Sequence, residues 1–235
     1  MKELLFILAD LWMVFAGFFC GWRFLRQYRN YLLGLEWMIV GTSGVNFLIW
    51  ALRGGDEADP QARLVFFFDT FSRGVGITLI VILGLMRVTH RYKPGPLVDI
   101  AVFALATVVG IYFSGFGGHE FHLGPAVFFV TVNALTLPFL IHFTWRVWKA
   151  GARGLAAWTG LATTAGIVIA ITYDFFPLPG DDSHRTLFAT AALATWGTQM
   201  FVYFFAYRAL DRHGNRATGT WSAPTSPSPA REEYR

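Results

Sequence analysis

Three aspartates stand inside long apolar runs of this chain: Asp10, Asp69 and Asp174. In runs of the same kind lie Asn46, Arg73, Asn133, Trp196 and Gln199, with Tyr173 next to Asp174. A carboxyl group stripped of water can hold a proton and deliver it to an apolar substrate, which makes the three aspartates the candidate catalytic acids. Amides, a guanidinium and aromatic faces hold and orient a bound molecule. Asn46, Arg73, Asn133, Gln199, Trp196 and Tyr173 are therefore the candidate substrate-binding residues. Asp69 and Arg73 are four residues apart, so on a helix they share a face and pair. That pair neutralises itself and reads as structural before chemical.

The elements that must carry these residues are seven apolar stretches, Leu4–Leu25, Tyr31–Leu52, Leu64–Val88, Leu97–Phe113, Gly124–Trp148, Leu155–Phe176 and Thr186–Leu210. Each has about the 17–25 residues a helix needs to cross a ~30 Å hydrocarbon core. None shows the alternation of a barrel strand, and backbone in lipid must satisfy its own hydrogen bonds. The composition agrees, with 54% hydrophobic and only 14% charged residues. The fold expected is all-α: a polytopic membrane protein with a seven-transmembrane-helix bundle over residues 1–210. Connections this short leave no room for a soluble domain and favour packing between consecutive helices. Residues 211–235, rich in Ser, Pro, Thr and Arg, have too little apolar surface to offset the entropy of ordering and read as a disordered cytoplasmic tail.

Charge alternates from loop to loop. Arg23, Arg26 and Arg29 follow the first run, Arg87, Arg91 and Lys93 the third, Arg146, Lys149 and Arg153 the fifth, and Arg208, Arg212 and Arg216 end the seventh. The other loops hold Asp56, Glu57 and Asp59, then His119, Glu120 and His122, then Asp181, Asp182 and His184. Basic loops stay cytoplasmic, so the amino terminus is placed outside and the carboxyl terminus inside, in what reads as a plasma (inner) membrane. The net charge of +4 is topogenic and calls for membrane lipids, not nucleic acid, as partner. The first run has its arginines after it, the mark of a retained helix and not of a signal peptide.

With that orientation the candidate residues fall in the outer half of the membrane or at its midplane. Buried charges in lipid cost at least ~2.5–3.5 kcal/mol each, and such groups turn toward a cavity or toward one another. Two readings follow: interhelical hydrogen bonds worth ~0.6–1.7 kcal/mol each, or a pocket opening to the outside. Convergence on one leaflet favours the pocket. Glu36, Asp99 and His142 lie near the cytoplasmic ends, where they can reach water. Outer aromatics such as Phe66, Phe113, Phe129 and Phe175 face lipid or wall the pocket, where they would suit a cationic or strongly apolar ligand.

The outer-loop histidines, His119, His122 and His184, stand near carboxylates, but their spacing lacks the fixed geometry of a metal pair and they read as solvated loop residues. No metal and no cofactor is expected. The seventh run has no Lys for a retinal Schiff base, and no nucleotide-binding glycine loop or haem-attachment motif occurs.

The order of landmarks resembles the small seven-helix integral-membrane terpene cyclases of fungal meroterpenoid and indole-diterpene pathways and their bacterial relatives. The residues that carry the likeness are Leu8-Ala9-Asp10-Leu11 and Gly21-Trp22, Asn46 close to Trp50, Phe68-Asp69, Tyr173-Asp174-Phe175-Phe176-Pro177, Trp196-Gly197-Thr198-Gln199 and Tyr203-Phe204-Phe205-Ala206-Tyr207. The resemblance implies a shared bundle and, for an enzyme, a lyase or isomerase that starts cyclisation of an isoprenoid or other apolar substrate with a buried acid. The family's acids on the second and seventh helices are missing here, where the chain reads Asn46-Phe47-Leu48-Ile49-Trp50 and Thr195-Trp196-Gly197-Thr198-Gln199. Asp10, Asp69 or Asp174 would have to take that role. A carrier or receptor-like binder of a small molecule, and a structural or accessory subunit, are the alternatives.

The orientation is directly testable. A reporter fused after Arg212 should behave as cytoplasmic and one placed at Gly117 as external. Reversed signals would overturn the depth assigned to every candidate residue.

Overall fold

Every long apolar run becomes a helix. The protein is described here by a computed structural model covering residues 1–118, 121–175, 180–182 and 185–217. His119, Glu120, Ser183 and His184, and the tail beyond Ala217, lie outside the described residues. Helix α1 spans Lys2–Arg23 and runs on as one wide turn, Phe24–Tyr28; α2 spans Tyr31–Leu52. Helix α3 is a single rod, Pro60–Thr89, whose middle, Ser72–Ile80, is π-helical. Then follow α4 (Pro96–Ser114), α5 (Leu123–Lys149), α6 (Arg153–Thr172) and α7 (Thr186–Ala217). There is no strand among the described residues.

Six of the seven, α1 to α6, are long and apolar enough to cross a membrane. Helix α7 falls outside that set because it interrupts its apolar run with Thr190, Thr195, Thr198 and Gln199. It also continues through Ala217, past Leu210, where its apolar run stops. The outward faces are what a bilayer requires, with Leu4, Leu8, Leu11, Phe15 and Trp22 all exposed on α1. The chain is a helical, multi-pass membrane protein.

Helix packing closes a ring. α1 packs on α2, α2 on α3, α3 on α5, α5 on α6, α6 on α7, and α7 returns to α1. Helix α4 stands outside, packed chiefly on α3. The expectation that consecutive helices pack together holds around most of the ring and fails at α4, which α5 bypasses to reach α3.

Local sequence explains the terminations. Asn30 caps α2 by accepting from Leu33 N–H at 3.2 Å, and its amide donates to the Gly84 carbonyl at 2.9 Å and to Tyr207 Oη at 3.4 Å. One side chain thus ties α2, α3 and α7 at the basic end. Asp59 caps α3 ahead of Pro60, a residue suited to the first helical position because it lacks an N–H. Asp181 and Asp182 cap α7, accepting from Leu187, Phe188 and Thr186 N–H groups at 2.8–3.0 Å. Burial works to raise the Asp181 carboxyl, but the backbone N–H donors of Leu187, Phe188 and Asp182 outweigh it and hold that group below the usual carboxylate range.

Helices α1 and α2 approach through glycine. A Cβ on Gly17 would lie 2.7 Å from the Trp37 carbonyl oxygen and 2.8 Å from Gly41 Cα, both backbone atoms that cannot swing aside. Close backbone contact of this kind replaces the hydrophobic drive that lipid does not supply. Gly17→Val should therefore lower the unfolding temperature in detergent, with an overpacking cost of roughly 1–3 kcal/mol. Gly124→Ala, which would meet nothing within 4 Å, should leave it unchanged. Equal melting of both variants would show that the α1–α2 seam is not tight.

Candidate functional site

The bundle holds two adjoining cavities. The inner one, about 80 Å³, is walled by side chains from all six ring helices, among them Met13, Trp37, Phe68, Asn133, Ile167 and Gln199. The outer one is a vestibule of about 330 Å³ that reaches the acidic loops at Glu57, Gly117, Phe121, His122 and Arg185. Met13, Ser43, Asp69, Arg73 and Trp196 border both.

Arg73 is the hub of that boundary. It sits in the first turn of the π-helical segment, and only 5% of it is exposed. Its Nη1 donates to Asp69 Oδ2 at 3.2 Å and its Nη2 to Asp174 Oδ2, so one guanidinium is held by carboxylates from α3 and from the turn that ends α6. Its plane is also covered by rings, with Tyr173 at 3.8 Å and Phe129 at 4.2 Å from centroid to guanidinium carbon. Charge-assisted bonds and ring faces together supply what water would have given. Both carboxylates keep about a quarter of their side-chain surface open.

Other candidates gather around this hub. Asn133 donates to the Phe129 carbonyl at 2.9 Å and reaches the Arg73 carbonyl at 3.5 Å. Trp196 stacks on Tyr173 with centroids 5.8 Å apart, and both face the vestibule. Gln199 lines the inner cavity and donates to Tyr203 Oη at 3.0 Å; that hydroxyl meets Thr163 Oγ1 at 2.7 Å. Of the three aspartates, the structure brings Asp69 and Asp174 together on one cation.

It does not bring in Asp10 or Asn46. Asp10 is fully buried, but it borders neither cavity; it packs toward Gly44, and neither oxygen has a hydrogen-bond partner among the described residues. Asn46 accepts from Gln61 Nε2 at 3.1 Å, and Gln61 in turn accepts from Arg53, so these three fasten the loop between α2 and α3. Glu36 corrects the sequence reading outright. It was placed near a helix end with access to water, yet its exposure is 0%, and it is wedged against Gly76, where a Cβ would stand 2.1 Å from Oε1. The face that Glu36 turns to the bundle is not readable from its position along the helix.

Residues outside the candidate set complete the walls. Arg185 donates to the Tyr173 carbonyl at 2.7 Å and lies over the Phe188 ring at 4.7 Å. Tyr203 and Trp37 are buried wall residues of the inner cavity, and the indole of Trp37 donates to the Met200 carbonyl at 3.3 Å. Tyr203 follows Gln199 at i,i+4, and that spacing could have singled it out. Among the described residues no three His, Cys, Asp or Glu side chains converge as metal ligands. The arrangement can hold a molecule with an apolar body against ring faces and a polar group against the Asp69–Arg73–Asp174 node.

The node should behave as one unit. Arg73→Gln strands two carboxylates in the bundle and should cost about 3–5 kcal/mol of stability in detergent. The triple variant Asp69→Asn, Arg73→Gln, Asp174→Asn removes all three charges and should regain most of that loss. A triple variant as unstable as the single one would mean that the node holds the fold by shape and not by charge.

No family model, curated protein or solved structure matches this chain.

Proposed function

We propose that this membrane protein binds a small amphipathic molecule in the vestibule, as a receptor-like binder or the binding unit of a carrier. The observation that carries the reading is the open-mouthed, aromatic-walled space of about 330 Å³ with a polar floor at Asp69, Arg73 and Asp174. Ligand sites are typically concave, mostly apolar and furnished with a few convergent polar groups. A bundle that used its polar residues only as packing glue would gain by filling such a space, since voids forfeit contact energy. The vestibule meets the acidic loops, while the basic loops lie at the other end, so the mouth is assigned to the non-cytoplasmic side.

Terpene-cyclase-like chemistry is the second reading, favoured by the ring-lined walls that would stabilise a carbocation. It requires a proton donor on those walls. Asp69 and Asp174 are engaged with Arg73, Glu57 borders the vestibule from the exposed α2–α3 loop, and the buried carboxyls of Asp10 and Glu36 border neither cavity. Binding without chemistry is preferred on that ground.

The test is thermal unfolding in detergent against a panel of small amphipathic aromatics. A ligand at a hundred times its dissociation constant should stabilise the protein by about 2.7 kcal/mol. Ala189→Trp, which puts an indole into the vestibule wall, should abolish the shift. A shift equal in both proteins would place the ligand elsewhere. Turnover of an isoprenoid that Asp69→Asn or Asp174→Asn eliminates while the unfolding temperature is kept would instead establish the cyclase.

A further inference from the structure

We propose that Glu36 is a proton-binding site of this bundle, loaded from the vestibule side through the inner cavity. The inference goes beyond the pocket reading and does not depend on which molecule the vestibule takes.

Glu36 stands on α2 with 0% exposure, and neither carboxyl oxygen has a hydrogen-bond partner among the described residues. The Ser72 hydroxyl faces it from α3 without reaching hydrogen-bond geometry, and Ser72 Oγ is itself buried and unpartnered. No charge balances the carboxyl. On α1, Asp10 is turned to Gly44, Cys20 is a buried free thiol and Arg23 lies over Phe19. Tyr28 of the wide turn meets the Tyr207 ring. On α3, Arg73 is held by Asp69 and Asp174, and Arg87 donates to the Arg29 carbonyl. An ionised carboxylate left alone in such a place costs several kcal/mol, so Glu36 is held as the neutral acid with a proton on one oxygen.

Interhelical glue is the plain alternative, and it requires a bond that Glu36 does not make. The seat is nevertheless shaped for this side chain. The π-helical middle of α3 passes it at Gly76, where a Cβ would stand 2.1 Å from Oε1, so only glycine leaves room. Turns of this kind are rare and gather at functional positions.

Access is one-sided. Ser72 lines the inner cavity, as does Val40, one turn outward of Glu36 on α2. Ser43, Asn133, Gln199 and Tyr203 add polar atoms to the same wall, and about 80 Å³ has room for several waters. A single water needs only ~10–15 Å³ of such space. Ser43, Asp69 and Arg73 border the vestibule as well, so the route continues to the acidic loops. Toward the basic end, Leu33 lies one turn below Glu36, has no exposed surface and belongs to the same packed core as Phe24, Leu85 and Tyr207. A proton therefore passes between Glu36, the Ser72 hydroxyl, water in the inner cavity and the outer side, and the path stops at the core beneath.

The test is infrared spectroscopy of the full-length protein in nanodiscs, in an Asp10→Asn background that removes the other unpartnered carboxyl of a span. At neutral pH the spectrum should hold the C=O stretching band of a protonated carboxyl, and Glu36→Gln should remove it. Isotopically heavy glutamate should shift the band with no substitution at all, because Glu36 is the only Glu within an apolar run. On transfer to heavy water the band should shift promptly. Ser43→Phe, which fills space shared by the two cavities, should keep the band and slow that exchange at least tenfold, and Ser72→Ala should slow it several-fold. A folded protein without the band, or a band that heavy glutamate leaves in place, overturns the proton site. Exchange as fast in Ser43→Phe and Ser72→Ala as in their parent overturns loading from the vestibule.

Discussion

A guanidinium that has left water must be satisfied by the protein around it, and at Arg73 that requirement organises the middle of the bundle. It takes a carboxylate from its own helix, a second from the end of α6, and ring faces from α5 and from Tyr173. Three of the six ring helices therefore meet at one side chain. The walls of both cavities follow from where those partners must stand, with Asn133 placed beside Arg73 by α5 and Trp196 brought against Tyr173 by α7.

The bundle uses different means at its two ends. At the basic end, Asn30, Tyr207 and Gly84 knit three helices through a fully buried polar contact, and Arg87 donates to the Arg29 carbonyl at 2.9 Å. Between the ends, α1 and α2 are drawn together by glycine, and large rings such as Phe24, Phe143, Tyr203 and Phe204 fill the core with no exposed surface to speak of. At the acidic end the helices stand apart around the vestibule.

How much of this was legible in the sequence depended on whether a signal was local. The seven helices were, because the length of an apolar run is a local property. So was the Asp69–Arg73 pair, set by four residues of helix. The arrival of Asp174 at the same cation joins positions 101 apart in the chain and has no local signature. The π-helical stretch Ser72–Ile80 was equally hidden, and it changes which way α3 faces below Arg73, so a 3.6-residue period counted across it misassigns faces. Glu36 was misjudged for a related reason: its depth said that water was near, while its face was turned onto Gly76. The bond from Gln61 ties Asn46 to the fastening of the α2–α3 loop and not to the hub.

The i,i+4 geometry of Asp69 and Arg73 also bears on biogenesis. Helix α3 leaves the ribosome long before α6, so Arg73 enters the translocon with Asp174 not yet synthesised. A lone arginine in that span would burden lateral release into lipid, whereas a carboxylate one turn away lets the segment leave as an internally neutralised unit. The Asp69–Arg73 contact is local to α3, whereas the contact with Asp174 exists only once α6 is in place.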